Sequence, residues 1–324
     1  MKNDPLVSIV LPTYNGSRYV AQSIQSCIDQ TYRNWELIIV DDCSTDETPA
    51  IIERFVRQDQ RISSVRHGKN RRLPRGLNTG FARSKGTYLT WTSDDNLYEP
   101  NALEVMVRYL EDNPTVGVVY CDERWIGPEG EDKYLFRKDG PDQLGVYNVV
   151  NACFLYRRAV YEAVGEYDPK MALVEDWEYW LRVAKRFPLA HLPGVAPYRY
   201  RWHPQSLTCT RRGAAIAQQI RARGRHLVPP SERRAYMTEA LWSATWNFHH
   251  EGNLGAAFQC ALACWKVAPW RLRFLKAVLG TGLRHWGSGS RPDATYSDWK
   301  PDGRKFVPLT RSSTTGEALQ HTGP

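Results

Sequence analysis

The sequence predicts an α/β protein, a mainly parallel sheet flanked by helices and followed by a small α-helical region. Three observations predict it. The first part of the chain alternates short apolar runs with stretches of helical period. Each of three strand-like runs ends in a loop rich in Thr, Asn, Asp and Ser, the residues of turns and helix caps. Past about Thr210 the strand signals stop and only helical patterns remain.

The elements follow in order. Residues 7–11 form an apolar run stopped by Pro12, which reads as a buried strand. Residues 18–30 place Val20, Ile24, Cys27 and Ile28 at helical spacing. Residues 35–40 are a second strand. Ser44 precedes Glu47 by three positions, which predicts a capping box for the helix bearing Ile51, Ile52, Phe55 and Val56. A third strand is expected over 62–66, a helix over 77–84, a fourth strand over 88–92, a helix over 101–112 and a fifth strand over 116–120.

The alternation then breaks. Pro128-Glu129-Gly130-Glu131 is a turn between two short strands. Helices are predicted over 157–164 and 175–187, and a strand over 197–203. Four further helices are predicted over 213–226, 232–251, 254–267 and 270–285, with Gly252-Asn253 as a tight link. Residues 287–324 are rich in Ser, Thr, Gly, Pro and charge and are expected to be disordered. The predicted organisation is thus 1–210, 211–286 and a tail over 287–324.

Composition supports a folded chain. Of 324 residues, 42% are hydrophobic and 24% charged, enough for a sizeable core. The formal net charge of +8 favours acidic partners such as nucleotide phosphates or an anionic membrane. Seven cysteines with no C-x-x-C pair argue against zinc or a disulfide framework, and a cytoplasmic location is expected. Cys260 and Cys264 read as small packing residues. No signal peptide is expected from residues 1–7, and no run approaches a spanning helix; 256–267 is too short and carries Gln259 and Lys266. Residues 269–279 mix cations with bulky apolar groups. Two readings stand for them: peripheral contact with the inner face of an anionic membrane, or a helix packed on the preceding domain with a wet basic face.

Chemistry concentrates at the strand ends, where parallel sheets bind ligands. After the first strand comes Pro12-Thr13-Tyr14-Asn15-Gly16, after the second Asp41-Asp42-Cys43-Ser44-Thr45-Asp46, and after the fourth Ser93-Asp94-Asp95-Asn96. Carboxylates crowded into one crevice raise each other's pKa, so a hard cation such as Mg²⁺ or Mn²⁺ would relieve them. The alternative is that each Asp serves a turn or helix cap. Arg66, Lys69, Arg71, Arg72 and Arg75 form a basic loop that could meet a diphosphate or stay solvated. Glu175-Asp176 stands at a helix start, where Trp177, Trp180 and Leu181 fit one packed face and leave a carboxylate as a candidate general base. Nucleic-acid binding is not expected, because no RNA motif or DNA-reading helix is present.

Residues 7–15, the second-strand segment through Asp46, Asn78-Thr79-Gly80, Lys85-Gly86-Thr87-Tyr88, Ser93-Asp94-Asp95 and Glu175-Asp176 together resemble family 2 inverting glycosyltransferases of the GT-A fold. The resemblance covers roughly residues 5–206. It implies that Asp42 recognises the nucleotide base and that Thr13 and Tyr14, flanked by Pro12 and Asn15, line the nucleoside pocket. It places Asp94 near the ribose and Asp95 on the metal, makes Asp176 of the Glu175-Asp176 pair the base, and sets His203, with Ser206, near the diphosphate. Thr92 stands where many relatives carry a further Asp, which leaves fewer protein ligands for the cation. The implied partners are a nucleotide-diphosphate sugar, most often UDP-linked, and a saccharide or lipid-linked acceptor. Two rival readings are a nucleotidyltransferase, which usually needs more glycines after the first strand, and a non-catalytic scaffold. A NAD-binding domain fails for want of G-x-G-x-x-G.

Overall fold

The structure is a computed structural model and describes residues 4–269 and 306–308. In chain order its elements are β1 (Val7–Thr13), α1 (Val20–Ile28), β2 (Trp35–Asp41), α2 (Thr48–Gln58), β3 (Ile62–Arg66), α3 (Leu73–Phe81), β4 (Tyr88–Trp91), β5 (Leu97–Tyr98) and α4 (Ala102–Asp112). Then come β6 (Val118–Cys121), β7 (Glu123–Ile126), β8 (Asp132–Phe136), β9 (Phe154–Arg157), α5 (Arg158–Val164), α6 (Glu175–Val183), β10 (Leu189–Leu192) and β11 (Tyr198–Arg201). Four helices follow, α7 (Leu207–Thr210), α8 (Arg212–Leu227), α9 (Arg233–His250) and α10 (Leu254–Val267), and last β12 (Phe306–Pro308).

The main sheet has seven strands in the order β10-β6-β9-β4-β1-β2-β3. β1 pairs in parallel with both β2 and β4, and β2 with β3. Alternation along the strands sorts side chains to two faces. Val7, Ile9, Leu11, Leu37 and Ile39 pack with α1 and α4 on one side; Val10, Ile38 and Val40 pack with Leu77 and Phe81 of α3 on the other. Burial on both faces explains why β1 and β2 read as continuous apolar runs. Gly80 lets α3 lie directly on β1, because a Cβ there would overlap the Val10 side chain.

The sheet is mainly parallel as expected, except that β9 inserts antiparallel between β4 and β6. It is short and runs straight into α5 without a turn residue, so its local signal merges with the helix. α3 begins at Leu73 rather than near 77, with Pro74 in its first turn, a position that suits proline because no N–H is needed. Ser44 and Glu47 do not form a capping box: α2 starts at Thr48, whose N–H is met by Asp46 Oδ1 at 3.0 Å, while Ser44 Oγ is taken by Asn15 N. A second sheet, β12-β8-β7-β11-β5, gathers the irregular middle of the chain. Its β12 is an exception to the disorder predicted for the tail, pairing Phe306 opposite Phe136.

α8, α9 and α10 match the predicted helices and pack on one another. Ala222 of α8 enters the core beneath the main sheet, and Arg225 and His226 reach Asp168 and Glu178 at 2.6 and 2.9 Å. Cys260 and Cys264 are buried between these helices, where their Sγ atoms lie 3.4 Å from Gly213 O and Thr238 O. No helix among the described residues is long and apolar enough to cross a membrane. The helix predicted over 270–285, with most of the 269–279 segment, lies outside the described residues.

Candidate active site

The loops after β1, β2 and β4 are laced together. Asn15, in the left-handed region at φ 53°, donates its N–H to Ser44 Oγ at 2.9 Å and accepts from Thr45 N at 2.8 Å. Thr13, at the end of β1 beside buried Pro12, donates its hydroxyl to Asp94 Oδ2. Gly16 permits this approach, since a Cβ would overlap both Asp94 Oδ2 and Thr13 Oγ1. Tyr14 is left 50% exposed beside the carboxylates, an aromatic face open to a ligand.

Asp42 is engaged within the protein itself. Its carboxylate is buried and already accepts from His67 Nδ1 at 2.7 Å, Arg71 N at 2.8 Å and Arg72 N at 2.7 Å. It clasps the loop that leads into α3, satisfying two amide groups near that helix start. Arg72 takes φ 70° to make the bond. His67 links the clasp to α3 through Thr79 Oγ1 at 3.0 Å. A ring carrying its proton on Nδ1 satisfies both contacts. The guanidinium-bearing residues Arg71, Arg72 and Arg75 are exposed along this loop and the first turn of α3.

The Ser93-Asp94-Asp95 turn is held from three sides. Ser23 Oγ donates to Ser93 O at 2.8 Å, and buried Thr92 meets Tyr198 OH at 2.7 Å. Arg201, itself 2% exposed, donates Nε to Asp95 O at 2.8 Å and its backbone N–H to Asn96 Oδ1 at 2.7 Å. Its guanidinium also reaches Gln22 and the Pro128 carbonyl and lies over the Tyr19 ring. His203 Nε2 meets Asp95 Oδ2 at 3.0 Å, while its Nδ1 is buried without a hydrogen-bond partner among the described residues. Burial, reinforced by the Asp95 charge, pushes the Asp94 carboxyl up to about 7.

This cluster fits a hard divalent cation. A positive ion would reverse the repulsion between Asp94 and Asp95 and match their oxygen donors, with His203 beside them. Among the described residues no group of three metal-ligating side chains converges. Any remaining ligands would therefore come from a bound molecule or from water.

Glu175 and Asp176 open α6. Trp177, Trp180 and Leu181 pack into the core as expected, but Glu178 and Tyr179 are buried too. Asp176 and Arg182 are the half-buried positions of the helix. Asp176 Oδ1 accepts from Trp177 N at 2.7 Å and Oδ2 from Asn148 Nδ2 at 2.7 Å. Burial pushes its carboxyl upward. Glu175, 5% exposed, accepts from Leu173 N at 2.7 Å, and burial followed by the Asp176 charge takes it to about 8. These two bond to none of the Asp94, Asp95 and His203 side chains. Sequence reasoning missed His67, Asn148 and Arg201, whose partners lie far along the chain; the one local signal was Arg201 standing two residues before His203.

The family model described as Glycosyl transferase family 2 matches residues 8–165. An uncharacterised glycosyltransferase of Haemophilus influenzae is 30% identical over 218 residues, 63% of this chain and 67% of that protein. The chain belongs to glycosyltransferase family 2. Membership decides against the nucleotidyltransferase and NAD-binding readings. An uncharacterised glycosyltransferase of Rickettsia prowazekii is 30% identical over 190 residues, 55% of this chain; the chain spans 58% of that protein's length. It spans 26% of an uncharacterised Sinorhizobium fredii protein, to which it is 28% identical across 70% of its own length. A Bacillus subtilis glycosyltransferase provisionally named for teichuronic acid biosynthesis is 34% identical over 106 residues, 33% of this chain and 42% of that one. Among solved structures, S. aureus TarS 1-349 in complex with UDP-GlcNAc superposes with a TM-score of 0.57 at 14% identity, covering 88% and 92% of the two chains. A Pyrobaculum calidifontis mannosyltransferase in complex with GDP-Man and Mn²⁺ gives 0.56 at 18%, covering 89% of each. The family 2 enzyme thus has the GT-A fold.

Proposed function

We propose that this family 2 glycosyltransferase moves a sugar from a nucleoside diphosphate donor to an acceptor hydroxyl with inversion, in the assembly of a cell-surface saccharide. The observation that carries the reading is the Asp94–Asp95–His203 cluster at the carboxyl end of β4, tied to the β1 loop through Thr13. Asp95, with Asp94, would hold Mg²⁺ or Mn²⁺, His203 steadying Asp95 from the side; when bound, the ion neutralises charge on the departing diphosphate. Tyr14 offers a ring to the nucleoside, and Arg71, Arg72 and Arg75 offer positive charge to the phosphates. In this reading Asp42 shapes the nucleotide pocket by anchoring the 67–72 loop.

Asp176 accepts the proton of the acceptor hydroxyl. That oxygen forms the new bond to the anomeric carbon as the bond to the diphosphate oxygen breaks, and the bonding pair leaves with the diphosphate. Burial raises Asp176, which brings its basicity toward that of a working base. The ligands of the TarS and Pyrobaculum structures support a UDP donor first and a GDP donor second, and the Bacillus relative, named for teichuronic acid biosynthesis, supports a saccharide product. Residues 1–210 would form the catalytic unit and 211–286 its helical companion.

The test is Asp176→Asn. Donor binding, read as thermal stabilisation by UDP- and GDP-sugars with Mn²⁺, is expected to persist while transfer falls by about a thousandfold or more. Normal turnover in this variant would remove Asp176 from the mechanism.

A further inference from the structure

A buried ion pair sits where catalysis has no evident use for it. Glu123 of β7 and Lys138 lie 2.6 Å apart, and neither side chain is exposed at all. A pair this deep is a poor source of stability, because desolvating both ions offsets their attraction and apolar residues of the same volume often do as well. What distinguishes this pair is where its other bonds go. Lys138 Nζ donates to Val150 O at 2.7 Å. Glu123 Oε1 accepts from Ala152 N at 2.9 Å and Cys153 N at 3.2 Å, and Oε2 accepts from Asn151 Nδ2 at 2.8 Å. All four bonds grip residues 150–153.

The same loop carries Asn148. Its Oδ1 accepts from Asn151 N at 3.2 Å, with Asn151 held in the left-handed region at φ 49°. Its Nδ2 donates to Asp176 Oδ2 at 2.7 Å. A continuous run of bonds therefore leads from the Glu123–Lys138 pair to the carboxylate at the start of α6. Trp177 N fixes the other oxygen of Asp176. With one donor on each oxygen, rotation of the carboxylate is stopped, and each oxygen keeps a lone pair for a proton.

We propose that Asn148 is a positioning residue for Asp176, and that the Glu123–Lys138 pair exists to hold Asn148 in place. The proposal rests on the reading of Asp176 as the base. The titratable groups around Asp176 are Glu175 on its own helix, Glu123 from β7 and Tyr167 from the segment before α6. Glu123 disfavours the charged form of Asp176, whereas the Asn148 amide favours it, as a donor to a carboxylate does. Asn148 thus keeps a buried base available in its ionised form as well as aimed.

The test uses the full-length protein labelled with ¹³C at the aspartate carboxyl carbons, the Asp176 signal being assigned by its loss in Asp176→Asn. Asn148→Asp is nearly isosteric and keeps the oxygen that Asn151 N needs, but it lacks the donor. Its Asp176 signal should titrate at least about one pH unit higher, roughly tenfold less acidic, from loss of the donor together with the added carboxylate, whereas Asn148→Ala adds no charge. Asn148→Ala should move the midpoint the same way. An Asp176 midpoint unmoved in both variants overturns the proposal, whatever happens to their stability. Normal turnover of Asp176→Asn would instead sink the base assignment, so the two failures are distinct.

Discussion

Glu175 and Asp176 are neighbours with different surroundings, and the difference is testable. Glu175 is held up to about 8 by burial and by Asp176, from an ordinary value of 4.5. The native protein therefore keeps a proton there that the unfolded chain releases. Between about 4.5 and 8 the native state binds more protons, so stability should fall as pH rises through that window. Asp94, raised to about 7, slopes the same way. Glu175→Gln should remove part of the slope, with melting temperatures at pH 5 and pH 8 drawn closer than in the parent; an unchanged difference would contradict the assignment. His203 belongs to the same scale. If it steadies Asp95 for a cation, His203→Ala should weaken Mn²⁺ binding by about tenfold or more, read by calorimetry in the presence of UDP. Equal affinity would leave His203 a core histidine.

Among elements, the contact of α3 with β1 carries most of the site's geometry. Gly80 sets their separation, and Thr79 beside it receives His67, which in turn bonds the Asp42 clasp. Gly80→Ala would push α3 off Val10 and is expected to cost about 1–3 kcal/mol of stability, measured by urea denaturation. Because Asp42 binds amides at the start of α3, the same change should loosen the basic loop. The element scale also shows where local patterns failed. β1 and β2 were legible because seven-residue strands buried on both faces leave continuous apolar runs. β9 was not, because its four residues have a partner on each side that lies distant in sequence.

At the scale of the whole molecule, the helices after Thr210 are joined to the sheet-bearing body rather than hung from it. Glu178 is buried, and bonds from His226 and Arg182 hold its carboxyl below the usual range against the upward push of burial. Removing α8 would leave Glu178 without His226, open the core at Ala222 and release Asp168 from Arg225. Truncation after Thr210 is therefore expected to lower the melting temperature by several degrees or prevent folding. A truncated protein as stable as the parent would show the helical region to be an independent appendage.

The sequence by itself determined the family, the succession of parallel strands and the loops in which Thr13, Asp94, Asp95 and Asp176 stand. Those features are local: period, turn chemistry and motif spacing operate within a few residues of each other. Only the tertiary structure decided what each carboxylate touches. It made Asp42 an anchor for the amides of Arg71 and Arg72, set His203 and Arg201 on Asp95, and ran a line of hydrogen bonds from Lys138 through Asn148 to Asp176. The physical reason is that a buried polar group must find a partner, and the chain segments that can supply one are chosen by packing rather than by order in sequence.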